Sequence, residues 1–392
     1  MDDAARPARG GWPLVVTYAG VAGASQLLWL TYAPVTTAAA RHYDVSVTAI
    51  GWLANVFPLL YVVLAVPAGL ALDRRPSLAL GLGAVLTAAG GVVRLGGDTF
   101  AWAMAGQLLV AVAQPFVLNA LTGVVEVLPE RSRPTGIAVG SGGLFLGLVA
   151  ALAAGSLAGG DRLVELVTWE AAVGVVAVAA FLVVRRRAPA PVAVESTEPG
   201  DLRAVWTDPV LRRIALLAFL GFGVFIALIT WLQALLEPQG VSESAAGWIV
   251  TAAVAIGAVG SVVVAALLED RGVEVALLRI ALLAAVAGCA VLAFAEGVPS
   301  AAVGAVLATS ALLTALPWLL ALCERRAGDP AAAGVLVASA TALLWLAGNL
   351  GGLVMAVVVG GLVDHATAAF LLLCAVGLLG LPFVRAKGLG ID

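Results

Sequence analysis

Apolar runs of about 20 residues, separated by short charged breaks, constrain this chain more than any other feature. A helix of that length spans the hydrocarbon core of a bilayer, and lipid offers no partners for backbone groups outside helices or closed barrels. The composition agrees, because 62% of the 392 residues are apolar and 11% are charged, whereas soluble domains are about half apolar and a quarter charged. The sequence therefore predicts an all-α membrane protein.

Reading the runs between charged breaks gives twelve transmembrane helices. The predicted spans cover residues 13–36, 47–72, 77–96, 100–127, 135–158, 164–184, 213–236, 244–268, 275–295, 300–322, 331–358 and 366–384.

Positive charge is distributed unevenly between the breaks. Of the 21 Lys and Arg residues, 17 fall in breaks on one side of the predicted membrane. Arg41 and Arg162 fall in breaks on the other side, and Arg94 and Arg279 lie at helix ends. By the positive-inside rule, this distribution predicts a multi-pass protein of the cell (plasma or inner) membrane with both termini in the cytoplasm.

One break, residues 185–212, is longer than the others and rich in Pro and charge, which is typical of a linker. It divides the chain into predicted domains 1–184 and 213–392, each with six spans. A short surface helix is predicted within it, around residues 202–206. The break 185–212 is expected to lie in the cytoplasm.

The two predicted domains repeat the same features at similar offsets. Asp73-Arg74 follows the second span and Asp270-Arg271 follows the eighth, 197 residues later. Gly136 and Gly334, at the starts of the fifth and eleventh spans, are 198 residues apart. This repetition predicts two pseudo-symmetric six-helix bundles in the same orientation, which is the architecture of the major facilitator superfamily (MFS).

Four stretches of sequence resemble known families. The segment Gly69-Leu-Ala-Leu-Asp73-Arg74-Arg75 resembles the superfamily's loop between helices 2 and 3. Trp29-Leu-Thr-Tyr32, Tyr43-Asp-Val-Ser and Ala113-Gln114-Pro-Phe116 are similar to the feline leukaemia virus subgroup C receptor-related family of haem, choline and vitamin transporters. The resemblance implies a secondary-active or facilitative transporter of a small organic, cationic or amphipathic solute, working by rocker-switch alternating access.

In that family an aromatic residue on helix 1 and a glutamine on helix 4 line a central pocket for a quaternary ammonium group, and Trp29 and Gln114 match them. Elsewhere the match fails: the family's helix-7 Tyr falls near Phe225, its helix-11 Gln at Thr341 and its helix-5 Asn at residues 141–143, so the resemblance does not imply choline itself as the substrate. Aromatic faces attract cations by about 0.5–2 kcal/mol each. The predicted substrate-binding residues are Trp29, Tyr32, Gln114, Asn119, Phe225, Trp231, Gln233, Thr341 and Trp345. Interfacial packing of the aromatics and hydrogen bonding between helices by the amides are the alternatives.

Charged residues form two further groups of candidates. The first group is predicted to form ion pairs that close one face of the protein: Asp73, Arg74, Arg131, Arg133, Asp270 and Arg271. The alternative is that these charges only fix the orientation of the helices in the membrane, and both roles can hold together. Glu170 and Glu126 are candidate proton sites, with a rim position beside Arg162 or water as the alternative for Glu170. No carboxylate lies at the centre of a predicted span, so coupling to an ion and facilitated diffusion both stay open.

Several classes are excluded by what the sequence lacks. The single lysine, Lys387, follows no Gly-rich loop, and no catalytic or metal-binding motif occurs, so neither an enzyme nor a cofactor or metal ion is expected. The expected partners are a small-molecule substrate and the bilayer, without nucleic acid, and a monomer is expected. Two alternatives stay open: a proton-coupled exporter of lipophilic compounds, and a membrane receptor or assembly factor that transports nothing.

Overall fold

The computed structural model describes residues 11–193, 199–268, 272–328, 337–385 and 389. All regular secondary structure in these ranges is helical. The α-helices are α1 (Trp12–Trp29), α2 (Thr36–Tyr43), α3 (Val47–Arg74), α4 (Pro76–Val93), α5 (Phe100–Leu118), α6 (Leu121–Val125), α7 (Arg133–Ala158), α8 (Leu163–Arg185), α9 (Pro199–Thr207), α10 (Pro209–Leu236), α11 (Glu243–Leu268), α12 (Glu274–Ala293), α13 (Val298–Ala305), α14 (Ala311–Ala327), α15 (Val337–Gly360) and α16 (Ala366–Gly380).

Twelve helical segments within the described residues are long and apolar enough to cross a membrane. The prediction of an all-α membrane protein with twelve spans is therefore confirmed. Two of these spans each contain two α-helices: the first contains α1 and α2, and the tenth contains α13 and α14 with the π-helical turn Val306–Ser310 between them.

The first span is interrupted where the sequence predicts one continuous run over residues 13–36. Helix α1 ends at Trp29, a 3-10 turn covers Ala33–Val35, and α2 begins at Thr36. Pro34 lies within that turn, and proline has no N–H and its ring clashes with the carbonyl four residues earlier. A prediction from hydropathy misses this break because Pro34 is flanked by apolar residues.

The seventh span begins earlier than predicted. Helix α10 starts at Pro209 rather than at residue 213, because Asp208 caps its N-terminus. The Asp208 carboxylate accepts hydrogen bonds from the backbone N–H groups of Val210 at 2.8 Å and Leu211 at 3.0 Å. The surface helix predicted around residues 202–206 is present as α9.

The first compact unit comprises Met1–Trp29, Leu64–Ala151 and Val167–Ser196. Within it α1 and α7 approach closely through small residues, because a Cβ on Gly147 would overlap the carbonyl of Gly23. Glycines at these positions let the backbones of two membrane helices approach closely.

The second compact unit comprises Leu30–Val63, Leu152–Leu166 and Thr197–Asp392. It therefore contains two segments from the first half of the chain together with the whole second half. Within it Gly351 of α15 packs directly on the backbone of Phe219 of α10, so these two helices also approach through a glycine. The division into bundles 1–184 and 213–392 stays a prediction.

A pair of facing glycines in each unit is related by the predicted repeat. Gly90 of α4 faces Gly106 of α5 in the first unit, and Gly288 of α12 faces Gly304 of α13 in the second. Both members of the second contact lie 198 residues after those of the first. The duplication therefore extends to packing contacts that the sequence repeat does not reveal.

Candidate functional site

The residues predicted to bind substrate are divided between the two units. The first unit contains Trp29, Gln114 and Asn119, and the second contains Tyr32, Phe225, Trp231, Gln233, Thr341 and Trp345.

In the first unit the polar candidates differ in what they contact. Asn119 follows the end of α5, and its Nδ2 donates a hydrogen bond to the Ala65 carbonyl of α3 at 3.3 Å, which matches the helix-linking alternative. Gln114 is buried in α5 directly before Pro115. Trp29 is half-buried at the end of α1, and its carbonyl accepts from Gln107 Nε2 at 3.5 Å. A substrate role for Gln114 and Trp29 stays a prediction.

In the second unit three aromatic rings form a connected group between α10 and α15. The Phe222 ring centroid lies 5.8 Å from that of Phe225 and 5.7 Å from that of Trp345, the latter pair edge to face. Thr341 precedes Trp345 by one turn of α15 and is half-buried. The structure thus brings Phe225 and Trp345 together through Phe222. The sequence analysis missed Phe222, although its spacing of three from Phe225 on a helix places both on one face.

Trp231 is packed rather than open to a cavity. Its side chain is fully buried, and its Nε1–H donates to the Ala356 carbonyl of α15 at 2.7 Å. Its ring lies against Gly51 of α3 and Gly360 of α15, where a Cβ would clash with it. These contacts match the packing alternative that the sequence left open.

Tyr32 lies in the break after α1 and is buried. Its hydroxyl lies 3.5 Å from the Tyr43 hydroxyl at the other end of α2, and the two rings meet edge to face at 6.2 Å. Its carbonyl accepts from Thr36 Oγ1 at 3.1 Å. Tyr32 therefore stabilises the short helix α2 as well as being a substrate candidate.

Gln233 belongs to a polar network that we call the latch, comprising Thr37, Arg41, Gln233, Glu237 and Glu243. The Thr37 N–H donates to Gln233 Oε1 at 3.1 Å, and Gln233 Nε2 donates to Thr37 Oγ1 at 3.0 Å. Thr37 Oγ1 in turn donates to Glu243 Oε2 at 3.2 Å. Arg41 Nη2 donates to the same Glu243 oxygen at 3.3 Å, and Arg41 Nη1 lies 3.8 Å from Glu237.

The latch joins α2, from the first half of the chain, to α10 and α11, from the second half. Three of its members, Arg41, Glu237 and Glu243, are charged, and charged groups in a hydrogen-bonded network make its strongest bonds. Gln233 was predicted as a substrate candidate with a structural contact as the alternative, but its partner Thr37 was not predicted, because the two lie 196 residues apart in sequence.

Small residues bring a second contact between the two halves close to the latch. Ser156 of α7 lies with its hydroxyl 3.4 Å from that of Thr251 of α11, and a Cβ on Gly247 would lie 2.5 Å from Ser156 Oγ. Gly160, in the turn after α7, packs directly on Ala38 of α2. An open depression of about 650 Å³ lies beside the latch, lined in part by Arg41, Glu237, Asp44 and Asp364.

Among the predicted gating residues of the first half, Arg133 forms an ion pair with a carboxylate outside the predicted set. Arg133 Nη2 lies 2.7 Å from Glu126, and its Nε donates to the Leu128 carbonyl at 3.4 Å. Glu126, a proton candidate, is therefore the partner of Arg133 and is exposed to solvent. Asp73 is half-buried, whereas Arg74 and Arg131 are exposed. Asp270 and Arg271 lie outside the described residues.

The second half contains two ion pairs that the sequence analysis did not predict. Arg326 at the end of α14 contacts the Asp208 carboxylate at 2.7 Å, and its neighbour Arg325 contacts Glu274 of α12 at 2.6 Å. Burial raises the pKa of Asp208, but hydrogen bonds from Arg326 and two backbone N–H groups outweigh it and hold the pKa below its ordinary value. The signal in the sequence was the Glu-Arg-Arg cluster after the tenth span, whose partners lie 118 and 51 residues away.

Glu170 has a specific partner in the interior of the first unit. Its Oε2 lies 3.5 Å from Arg94 Nη2, and both side chains are fully buried. The alternative partner Arg162 instead donates to the carbonyls of Leu157 and Ala158. Glu170 therefore lies at an internal ion pair between the end of α4 and α8. Among the described residues, no three His, Cys, Asp or Glu side chains are grouped so that they could hold a metal ion.

Comparisons with known sequences agree with this architecture. The family profile of the Major Facilitator Superfamily matches residues 15–348. Solute carrier family 49 member A3 of Danio rerio is 29% identical over 255 residues, which are 60% of this chain and 54% of that protein. An uncharacterized protein of Archaeoglobus fulgidus is 27% identical over 173 residues, covering 44% of this chain and 76% of its own length. The match therefore spans about half of the zebrafish relative.

Solved structures share the fold at low sequence identity. The nucleoside transporter NupG superposes with a TM-score of 0.72 at 14% identity, over 95% of this chain and 98% of NupG. The human organic anion transporter MFSD10 (TETRAN) superposes with a TM-score of 0.70 at 20% identity, over 97% of this chain and all of that one. At these identities the likeness concerns the fold alone.

Proposed function

The chain belongs to the Major Facilitator Superfamily and is a membrane transporter of a small molecule, and from this premise we propose that it moves an organic solute by rocker-switch alternating access. In that mechanism two packed arrangements of the same helices alternate, and each exposes the solute to one side of the membrane. Membership also assigns the chain to transporters rather than to enzymes.

The latch is the observation that carries this proposal. It joins helices of the two halves at one end by four hydrogen bonds of 3.0–3.3 Å. A carrier needs such contacts to be stable in one state and broken in the other, and polar contacts beside solvent meet that need, since water replaces the partners when they part. We propose that the latch closes one face of the carrier. With the termini in the cytoplasm of a cell-membrane protein, that face is the outer one.

The proposed solute has a cationic or amphipathic organic part. In the second unit the support is the aromatic group Phe222, Phe225 and Trp345, because ring faces attract organic cations. In the first unit the support is the match of Trp29 and Gln114 to the choline, haem and vitamin transporter family. The resemblance to that family is part of the proposal, as is the choice of a cation over a neutral amphipathic solute.

Binding and flux in purified protein test the solute class. A thermal-shift screen against amines, vitamins and porphyrins identifies a ligand, since a ligand stabilises by mass action whatever the direction of transport. Flux of that ligand into proteoliposomes is then compared with that of the double variant Trp29→Ala, Gln114→Ala. We expect the double variant to lose most of the flux, whereas Trp169→Ala, a change to an exposed aromatic side chain, keeps it. Equal flux in the double variant would remove the assignment of these two residues.

A proton-coupled exporter of lipophilic compounds is the second candidate function. The observation that favours it is Glu170, a carboxylate buried in the first unit beside Arg94. Under this alternative, flux follows an imposed pH gradient, and Glu170→Gln abolishes that dependence while downhill exchange continues. A flux that is independent of the pH gradient in the parent protein excludes proton coupling.

A further inference from the structure

We propose that the latch is opened by acid, and that Glu243 is the side chain whose protonation opens it. The role of this protonation in transport rests on the proposed function, because protonation is then the signal that opens one gate of the carrier. It concerns the closed contact described above and requires no knowledge of the solute.

Glu243 occupies the central position in the latch. One carboxylate oxygen accepts from both the Thr37 hydroxyl and the Arg41 guanidinium, at 3.2 and 3.3 Å. Thr37 also forms two hydrogen bonds with Gln233. These two bonds and the bond from Thr37 to Glu243 form one connected network between α2 and the second half of the chain. A negative charge on Glu243 strengthens both of the bonds that it accepts. When the carboxylate is protonated, it loses its attraction for Arg41 and becomes a poorer acceptor for Thr37.

Solvent reaches Glu243 in the closed state. Its side chain is 20% exposed, that of Arg41 is 66% exposed, and the open depression beside the latch is lined by Arg41 and Glu237. A proton is therefore taken from the solution on that face and returns to the same solution. The step opens the gate and moves no proton across the membrane, which distinguishes it from coupling through Glu170.

The charged groups around Glu243 indicate that protonation of this one carboxylate weakens the latch. Arg41 on α2 attracts it, whereas Glu237 after α10 repels it and also attracts Arg41 at 3.8 Å. The turn after α7, whose Gly160 approaches Glu243 Oε1, carries Asp161 and Arg162, both of which are exposed. Once Glu243 is neutral, Glu237 remains as a partner for Arg41 on the second half, but Thr37 has lost its carboxylate acceptor.

The other charged side chains described at this end of the protein do not make the contacts that Glu243 makes. His42 packs edge to face on Tyr43, with ring centroids 4.9 Å apart, and Asp44 and Asp364 line the open depression. None of these three shares a hydrogen bond with Thr37 among the contacts described. Of the carboxylates in the described part of this end, Glu243 contacts both residues of α2 that reach the second half.

Chemical labelling of a buried reporter measures opening directly. Ser156 is 6% exposed beneath the contact with α11, and Ser156→Cys changes its size little. In proteoliposomes or nanodiscs, the rate of reaction of this cysteine with a small, membrane-impermeant methanethiosulfonate is measured at a series of pH values from about 7.5 to about 4.5, the range of carboxyl titration. Each rate is divided by the rate of a free small thiol with the same reagent at the same pH, which removes the contribution of thiol ionisation.

We expect the labelling rate of Ser156→Cys to rise about tenfold or more toward acid, the factor that loss of one hydrogen bond to a charged group allows. With Glu243→Gln added, labelling is expected to be fast at every pH. With the control Asp161→Asn, an exposed carboxylate on the adjacent turn, the pH dependence is expected to persist. Thr37→Val gives a second test: labelling at neutral pH rises, because the link to both Gln233 and Glu243 is removed.

Two results overturn the inference: a labelling rate independent of pH in the Ser156→Cys protein, or slow labelling with unchanged pH dependence after Glu243→Gln. Melting curves and gel filtration of each variant confirm folding, and Arg41→Gln replaces Glu243→Gln should the latter fail to fold, with fast labelling expected. Solute flux is measured in parallel. Flux without acid-dependent labelling rejects the latch and keeps the carrier, whereas acid-dependent labelling without flux of any solute rejects the proposed function and keeps the latch.

Discussion

The ion pair between Arg94 and Glu170 allows a stability prediction worked from its geometry. The two charged groups lie 3.5 Å apart with both side chains fully buried. At that separation and an effective dielectric constant of about 20, their Coulomb attraction is about 5 kcal/mol. Removing each charge from water costs several kcal/mol, so the pair as a whole contributes little net stability. A single buried charge left without its counter-ion is costly.

We therefore expect Glu170→Leu and Arg94→Leu each to lower the free energy of unfolding by about 3–5 kcal/mol. The double variant Arg94→Leu, Glu170→Leu removes both charges and is expected to be more stable than either single variant. The two changes are thus strongly non-additive, with a coupling energy of about 2 kcal/mol or more.

The measurement is reversible unfolding in mixed micelles by a denaturing detergent, followed by tryptophan fluorescence. The matched control is the exposed pair Arg133 and Glu126, whose side chains are 37% and 41% exposed. Neutralising either member of the control pair is expected to change stability several times less, since exposed pairs are screened by water. Additive losses in the Arg94 and Glu170 cycle, or a double variant less stable than both single variants, would refute the reasoning.

This cycle also separates a structural from a proton-carrying role for Glu170. If the pair is structural only, the double variant transports with the same dependence on a pH gradient as the parent. If Glu170 carries a proton, the double variant is folded but its flux no longer follows the gradient.

Three further predictions concern other parts of the fold. Trp231→Phe is expected to lower stability by about 2 kcal/mol, because it removes a buried hydrogen bond and leaves space, and to leave the KM for the solute unchanged in flux assays. Gly106→Ala and Gly304→Ala are both expected to lower the melting temperature, because each Cβ meets a facing helix, whereas Gly142→Ala, with open space around its Cβ, is expected to leave it unchanged. Because the pKa of folded Asp208 is lowered, its stabilisation is present above about pH 4 and is lost as pH falls through the folded pKa. Unfolding of Asp208→Asn and parent protein at a series of pH values checks this, since the two stabilities converge in acid.

Hydropathy was sufficient to predict the spans because the hydrocarbon core imposes one rule on every helix: its backbone is satisfied internally and its surface is apolar. The same rule carries no information on where a helix is interrupted within an apolar stretch. The break at Pro34 and the π-helical turn Val306–Ser310 were therefore missed, as was the start of α10 at Pro209. The cap at Asp208 was visible as an Asp-Pro pair, but the charge of the neighbouring arginines obscured it.

Individual site residues were harder to assign than the fold. Trp231, Gln233 and Asn119 were chosen as polar or aromatic side chains in apolar spans, which is the correct criterion for a residue with an interaction to make. This criterion does not show whether the side chain contacts the substrate or another part of the protein. The structure shows Trp231 donating to Ala356, Asn119 donating to Ala65, and Gln233 paired with Thr37.

The sequence by itself determined the class of the protein: twelve apolar helices, a repeat of about 198 residues and membership in a transporter superfamily. The apolar helices follow from the membrane as solvent and the repeat follows from duplication, and each produces a periodic pattern in the sequence. Tertiary structure alone decided which side chains meet, such as Thr37 with Gln233 and Arg94 with Glu170, which are 196 and 76 residues apart. Such pairs depend on distances of a few ångströms between helices, and no local pattern of residues encodes them.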